Sequence, residues 1–182
     1  MSPIEVFWIT LTFIFCLLGA ARGYPKELGV TTMALVGIFM LEQFLDNIIS
    51  FFDAQIGPVI GIQIQNRPDS NLWLFVIYAG LFLTVVFASY AGRTFAFEGK
   101  PAGGRIGTLL NLGVGLFNGY LINGTLWHYL DKYGYPVQRW GLVRPELTPL
   151  AQEMVQYLPP RVFSGTLLIG MVGLLLLLRV YK

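Results

Sequence analysis

Glu42, Gln43, Asp46, Asn47 and Ser50 are the residues of this chain whose types and spacing could do chemistry, because they interrupt an otherwise apolar run over 28–52. Spaced i, i+1, i+4, i+5 and i+8, all five fall on one face of a helix. The run is long enough to cross a bilayer, where a carboxylate costs roughly 2.5–3.5 kcal/mol on insertion scales. Glu42 and Asp46 must therefore face protein, water or each other, or be protonated. Carboxylates along a hydrated face are what an ion or proton path requires. Two blander arrangements meet the same cost, and the sequence favours them over conduction. The helix end leaves the hydrocarbon early and meets water, or the stripe packs against asparagines of a later span. With no cationic residue inside another predicted span to neutralise the pair, protonation or water is the expected compensation.

Other chemistry is sparse. His128 is the single histidine and Cys16 the single cysteine, so neither a metal-ligand cluster nor an internal disulfide is expected. His128, between Trp127 and Tyr129, reads as a polar residue at headgroup level rather than a catalytic base. G-x-S-x-G, H-E-x-x-H and Walker patterns are missing from the sequence. The glycine-rich stretch from Glu98 to Arg105 lacks the Lys-Ser/Thr pair of a phosphate loop. It reads as a turn whose cations meet anionic lipid. The residues thus predict no catalytic site, no metal and no cofactor.

Composition sets the class of element that must hold these side chains. The chain is 55% hydrophobic and 12% charged, half the charge of an ordinary soluble domain, which carries about 25%. The expected fold is all-α, a single polytopic membrane domain with about five spans, near 4–21, 28–52, 72–91, 106–129 and 162–181, the alternative being a re-entrant second or fourth segment. The first run lacks a basic leader and reads as a retained span. Arg22, Lys26, Arg93, Lys100, Arg105, Arg179 and Lys182 fall on one side of this arrangement, in short linkers and the tail. Arg67, Lys132, Arg139, Arg144 and Arg161 fall on the other, in longer loops. The short loops decide, so the N-terminus is predicted outside and the C-terminus in the cytoplasm. Trp8, Trp73 and Trp127 then lie at outer span ends, where indole rings favour the interface. Nothing in the charge pattern suggests nucleic acid. The expected partners are the bilayer and other membrane proteins or further copies of the chain.

Two further segments have readable packing. In the outer loop over 130–161, Thr148 and Pro149 open a short amphipathic helix over 149–158 with Leu150, Met154, Val155 and Leu158 on one face. In the fourth span, Gly107, Asn111, Gly115 and Gly119 recur every four residues, and Asn118 borders the same face. Gly115 and Gly119 form a G-x-x-x-G that lets two backbones approach, with asparagine amides bonding across the contact. The partner helix is either in this chain or in another copy.

Two stretches resemble the CvpA family, the colicin V production proteins of bacterial inner membranes. One runs from Leu18 to Leu28 and carries Arg22-Gly23, Tyr24 and Glu27. The other is Gly104-Arg-Ile-Gly107 followed by Gly115 and Phe117-Asn-Gly119, with Asn118 where the family usually has arginine. The likeness covers roughly residues 5–125. It implies a non-enzymatic inner-membrane protein accessory to toxin production, export or envelope homeostasis. Carried over residue by residue, it implies a structural role for Arg22, Gly23, Glu27, Arg105 and Gly107 at the cytoplasmic mouth. Arg22 and Glu27 are expected to pair there as an exposed pair, contributing about 0–1 kcal/mol. Two alternatives remain at this stage: an accessory subunit of an energy-transducing complex, and a small ion or proton conductor using Glu42 and Asp46.

Overall fold

A computed structural model describes residues 3–92, 97, 103–141 and 147–180. All regular structure among them is helical. The principal helices are α1 (Ile4–Arg22), α2 (Tyr24–Ile60), α3 (Ser70–Ala91) and α4 (Gly104–Lys132). A 3-10 turn (Pro136–Trp140), two short helices, α5 (Pro149–Val155) and α6 (Pro159–Val162), and then α7 (Gly165–Val180) complete the chain. Three of these, α1, α2 and α3, are long and apolar enough to cross a membrane. Glycine and asparagine make α4 less apolar despite its 29 residues, and α7 is apolar over 16. The predicted basic residues Arg93, Lys100, Arg144 and Lys182, and most of the Glu98–Arg105 stretch, lie outside the described residues.

Gly23 separates α1 from α2. Its φ of +87° is a conformation that a side chain disfavours. Pro25 in the first turn of α2 suits a helix start, and the Tyr24 amide is capped from α4 by Asn111 Oδ1 at 2.7 Å. The second helix runs well past the predicted residue 52. It does so through two π-helical turns, Leu41–Leu45 and Phe52–Ile56, and ends at Ile60, before a left-handed Gly61. Asp53 explains the continuation: its buried carboxylate accepts the Ile64 and Gln65 amides, both at 2.7 Å, and folds the following loop back onto the helix.

Contacts fix the directions of the helices. Trp8 meets Trp127 near one end of α1 and Gly19 meets Gly115 toward the other, so α1 and α4 are antiparallel. Along α2, Glu27 reaches Tyr90 of α3 while Asp46 reaches Tyr78, so α2 and α3 are antiparallel too. The core lies where α2, α3, α4 and α7 meet, with Ala34, Leu35, Ile38, Phe82, Val86, Leu121, Ile122 and Leu168 buried. Large apolar side chains such as Phe7, Phe13, Phe87, Leu109 and Leu177 cover the outside. An apolar exterior around a packed interior is the pattern of a bundle immersed in hydrocarbon.

A second apolar cluster sits beneath the segment after α4, built from Trp127, Tyr135, Ala151, Val155 and Leu158. This segment docks onto the bundle. The Thr148 hydroxyl caps α5, accepting the Ala151 amide, and donates to the buried Glu5 carboxylate at 2.6 Å. Pinned in this way, α5 turns Val155 and Met154 inward with Leu158 after it, as expected from sequence, but buries Ala151 in place of Leu150, which is exposed. The helix also stops at Val155, earlier than residue 158.

Candidate functional site

Two polar centres lie along the same three helices. Both use α2, α3 and α4, the first joined by Arg22 from the end of α1, and an apolar segment separates them.

The first surrounds Glu27, whose side chain is 0% exposed. Arg22 Nη1 lies 3.3 Å from Glu27 Oε1, and the Arg22 guanidinium stacks over the Tyr90 ring at 4.4 Å. The Tyr90 hydroxyl donates to Glu27 Oε2 at 3.2 Å, and Asn118 Nδ2 donates to the same oxygen at 2.8 Å. Asn118 Nδ2 also reaches the Glu27 carbonyl, and its Oδ1 accepts from Thr31 at 2.7 Å. The pair expected at the surface therefore belongs to a network around a fully buried Glu27, with Arg22 partly exposed, because α4 and α3 close over the turn between α1 and α2. That changes its energetics: an exposed pair contributes little, whereas breaking a buried one costs about 3–5 kcal/mol. Arg105 stands apart from this network, exposed in the first turn of α4, while Gly107 is buried.

The second centre takes in part of the polar stripe. Asp46 accepts from the Tyr78 hydroxyl and pairs with Lys132 at 3.3 Å. The Lys132 ammonium sits over the Tyr78 and Tyr133 rings at 4.9 and 5.6 Å. Glu42 Oε1 lies 3.7 Å from His128 Nε2. Glu42 Oε1, His128 Nδ1 and the Tyr129 hydroxyl are buried together, the Tyr129 hydroxyl facing the Glu42 carboxylate. Beyond the end of α4, burial pushes the Tyr133 phenol up to about 12, so it stays neutral at ordinary pH. The cation missing from the sequence reading is supplied by α4, which continues as helix through Lys132 instead of ending at 129. Asparagines of α4 do not meet the stripe. Asn111 caps α2, Asn118 serves Glu27, and Asn123 Nδ2 donates to Thr12 at 3.3 Å.

The five stripe residues are divided among different surroundings. Glu42 and Asp46 face α3 and α4, whereas Gln43 lies against Gly165 at the start of α7. Ser50 accepts from Gln65 at 3.4 Å, and Asn47 is exposed among apolar neighbours. The π-helical turn over Leu41–Leu45 breaks the regular 3.6-residue register on which a single face depends.

Glu27 and Glu42 are 15 residues apart, about 22 Å along α2. Between them Ala34, Leu35, Ile38, Phe82, Val86, Leu121 and Ile122 pack at or near zero exposure. Apolar interiors of this kind exclude water, and such constrictions act as barriers to ions.

The glycine face of α4 meets α1. A Cβ on Gly115 would lie 2.6 Å from the Phe15 carbonyl oxygen, and one on Gly119 would lie 2.9 Å from that of Thr12. Gly19 is the reciprocal small residue on α1, and Cys16 Sγ approaches the Leu112 carbonyl at 3.6 Å. Trp127, expected at the lipid interface, is instead buried, with Nε1 donating to the Tyr135 hydroxyl at 3.0 Å. Among the described residues no group of three or more His, Cys, Asp or Glu side chains could hold a metal ion.

Compared with protein-family models, curated proteins and solved structures, the chain matches none.

Proposed function

We propose that this chain is a five-span protein of the bacterial inner membrane, with its N-terminus outside and its C-terminus in the cytoplasm. In this reading it is related to the CvpA family and acts without catalysis, as an accessory to toxin production, export or envelope homeostasis. The observation that carries the reading is the Glu27 network. Arg22, Gly23 and Glu27, from the first of the two stretches that carry the resemblance, form a joint between α1 and α2 around the buried Glu27 that Asn118 and Tyr90 complete. Residues committed to one another in this way hold a scaffold together. The alternating directions of the long helices suit successive crossings. Proteins co-purifying with the chain from native membranes in mild detergent test the reading. Recovery with export or envelope components supports it. A fixed-stoichiometry complex with a respiratory or ATP-synthesising enzyme would replace it with a subunit role.

A second reading has its own observation. The buried polar atoms of Glu42, His128 and Tyr129 could carry a proton relay with Asp46. The apolar plug between the two polar centres weighs against a continuous path.

A further inference from the structure

The end of α4 holds a cation between two aromatic rings and a carboxylate. The Lys132 ammonium lies 3.3 Å from Asp46 Oδ2 and over the rings of Tyr78 and Tyr133, at 4.9 and 5.6 Å. Both rings are within the ~6 Å over which an aromatic face attracts a cation. The walls of this box come from three elements: Asp46 from α2, Tyr78 from α3 and Tyr133 from the residue after α4. They also hold one another. The Tyr78 hydroxyl donates to Asp46, the Tyr78 and Tyr133 rings are 5.6 Å apart, and Tyr129 backs Tyr78 at 4.9 Å. Both box rings belong to buried residues, Tyr78 completely so.

The filling is held less firmly than the walls. The Lys132 side chain is 31% exposed and that of Asp46 63%, so the box opens to solvent on their side. An exposed ion pair contributes little, and a lysine stem is flexible, so Lys132 can leave at small cost. What it would leave behind is two aromatic faces beside a single carboxylate. A hard divalent cation requires several oxygen ligands, which the box does not offer. An organic ammonium needs only ring faces and one opposite charge, the chemistry by which aromatic cages recognise choline-like ions. The Lys132 ammonium stands in for that ion.

We propose that the box is a binding site for an alkylammonium ion, with Lys132 as its tethered competitor. The ligand's ammonium takes the place of Lys132 between Asp46, Tyr78 and Tyr133, and the lysine swings into solvent. A lipid headgroup and a free soluble amine present the same cation. The site goes beyond the accessory reading above and does not depend on it. The test uses the full-length protein in a deuterated, choline-free maltoside detergent. Choline is titrated in, and saturation transfer from aromatic protons to its methyl groups is followed by NMR. The expected result is transfer that saturates with choline and is not reproduced by its uncharged tert-butyl isostere. Lys132→Ala should bind choline about 3- to 10-fold more tightly, and Asp46→Asn about 3- to 10-fold more weakly. Both replaced side chains are partly or largely exposed, so both variants should keep the parent's fold, checked by thermal unfolding. Repeating the titration in phosphatidylcholine and phosphatidylglycerol nanodiscs separates the sources. Loss of choline binding only in phosphatidylcholine identifies a lipid headgroup as the ligand, and equal binding in both identifies a soluble amine. An absence of saturable transfer in the parent overturns the proposal, as does an affinity that Lys132→Ala leaves unchanged. Equal affinity for the uncharged isostere overturns it too, because the box would then be selecting shape and not charge.

Discussion

Removing the Glu27 carboxylate would take from the Arg22 guanidinium its ion-pair partner and from the Tyr90 hydroxyl its acceptor, and would leave Asn118 only the Glu27 carbonyl. Glu27→Ala is expected to destabilise the protein by about 3–5 kcal/mol, read as thermal unfolding in detergent. Glu27→Gln, which keeps an acceptor for Asn118, should cost less. Asp46 is a different case, with a side chain 63% exposed. Asp46→Asn should change stability by less than about 1 kcal/mol, since an exposed ion pair contributes little. A loss for Asp46→Asn equal to that for Glu27→Ala would show that the two centres do not differ in burial as described. The sequence pointed to both residues but ranked them the other way round. A carboxylate in mid-span draws attention by its cost, whereas Glu27 stands beside a proline and an arginine and reads as a surface turn. Burial of Glu27 depends on α3 and α4 arriving from some 60 to 90 residues away in sequence, and no local pattern encodes that.

At the scale of helices, the contact between α1 and α4 depends on backbone approach at Gly19, Gly115 and Gly119. Gly115→Ala should cost about 1–3 kcal/mol through overpacking, and Gly115→Leu should disrupt the bundle. Gly113, two residues away, has nothing within 4 Å of where a Cβ would stand, so Gly113→Ala should be neutral or slightly stabilising. Equal unfolding temperatures for the two alanine variants would contradict the packing. The period-four glycines marked this face in sequence; which helix filled it was open, because small-residue motifs specify closeness and not a partner. The π-helical turns of α2 were not foreseeable from periodicity, and they redistribute the stripe. The extension of α2 to Ile60 has a local cause that spacing hid. Asp53 bonds the amides of Ile64 and Gln65, so Asp53→Ala should speed proteolysis within the 61–69 loop, measured as time to first cleavage.

For the whole molecule, composition announced an apolar helical protein, and the exposed aliphatic surface agrees with it. Orientation rests on charge placement. In a Cys16→Ser background, Asn66→Cys and Tyr157→Cys should react with an impermeant thiol reagent from outside, and Lys26→Cys should not. The opposite pattern would invert the topology. The larger claim is that the buried polar residues bind the helices together across a dry core and do not conduct. Proton flux through purified protein in liposomes, driven by a pH gradient, tests this most directly. Flux indistinguishable from that of protein-free vesicles, in the parent and in Glu42→Gln alike, is the predicted result. A pH-dependent flux in the parent that disappears in Glu42→Gln, with folding intact, would contradict it.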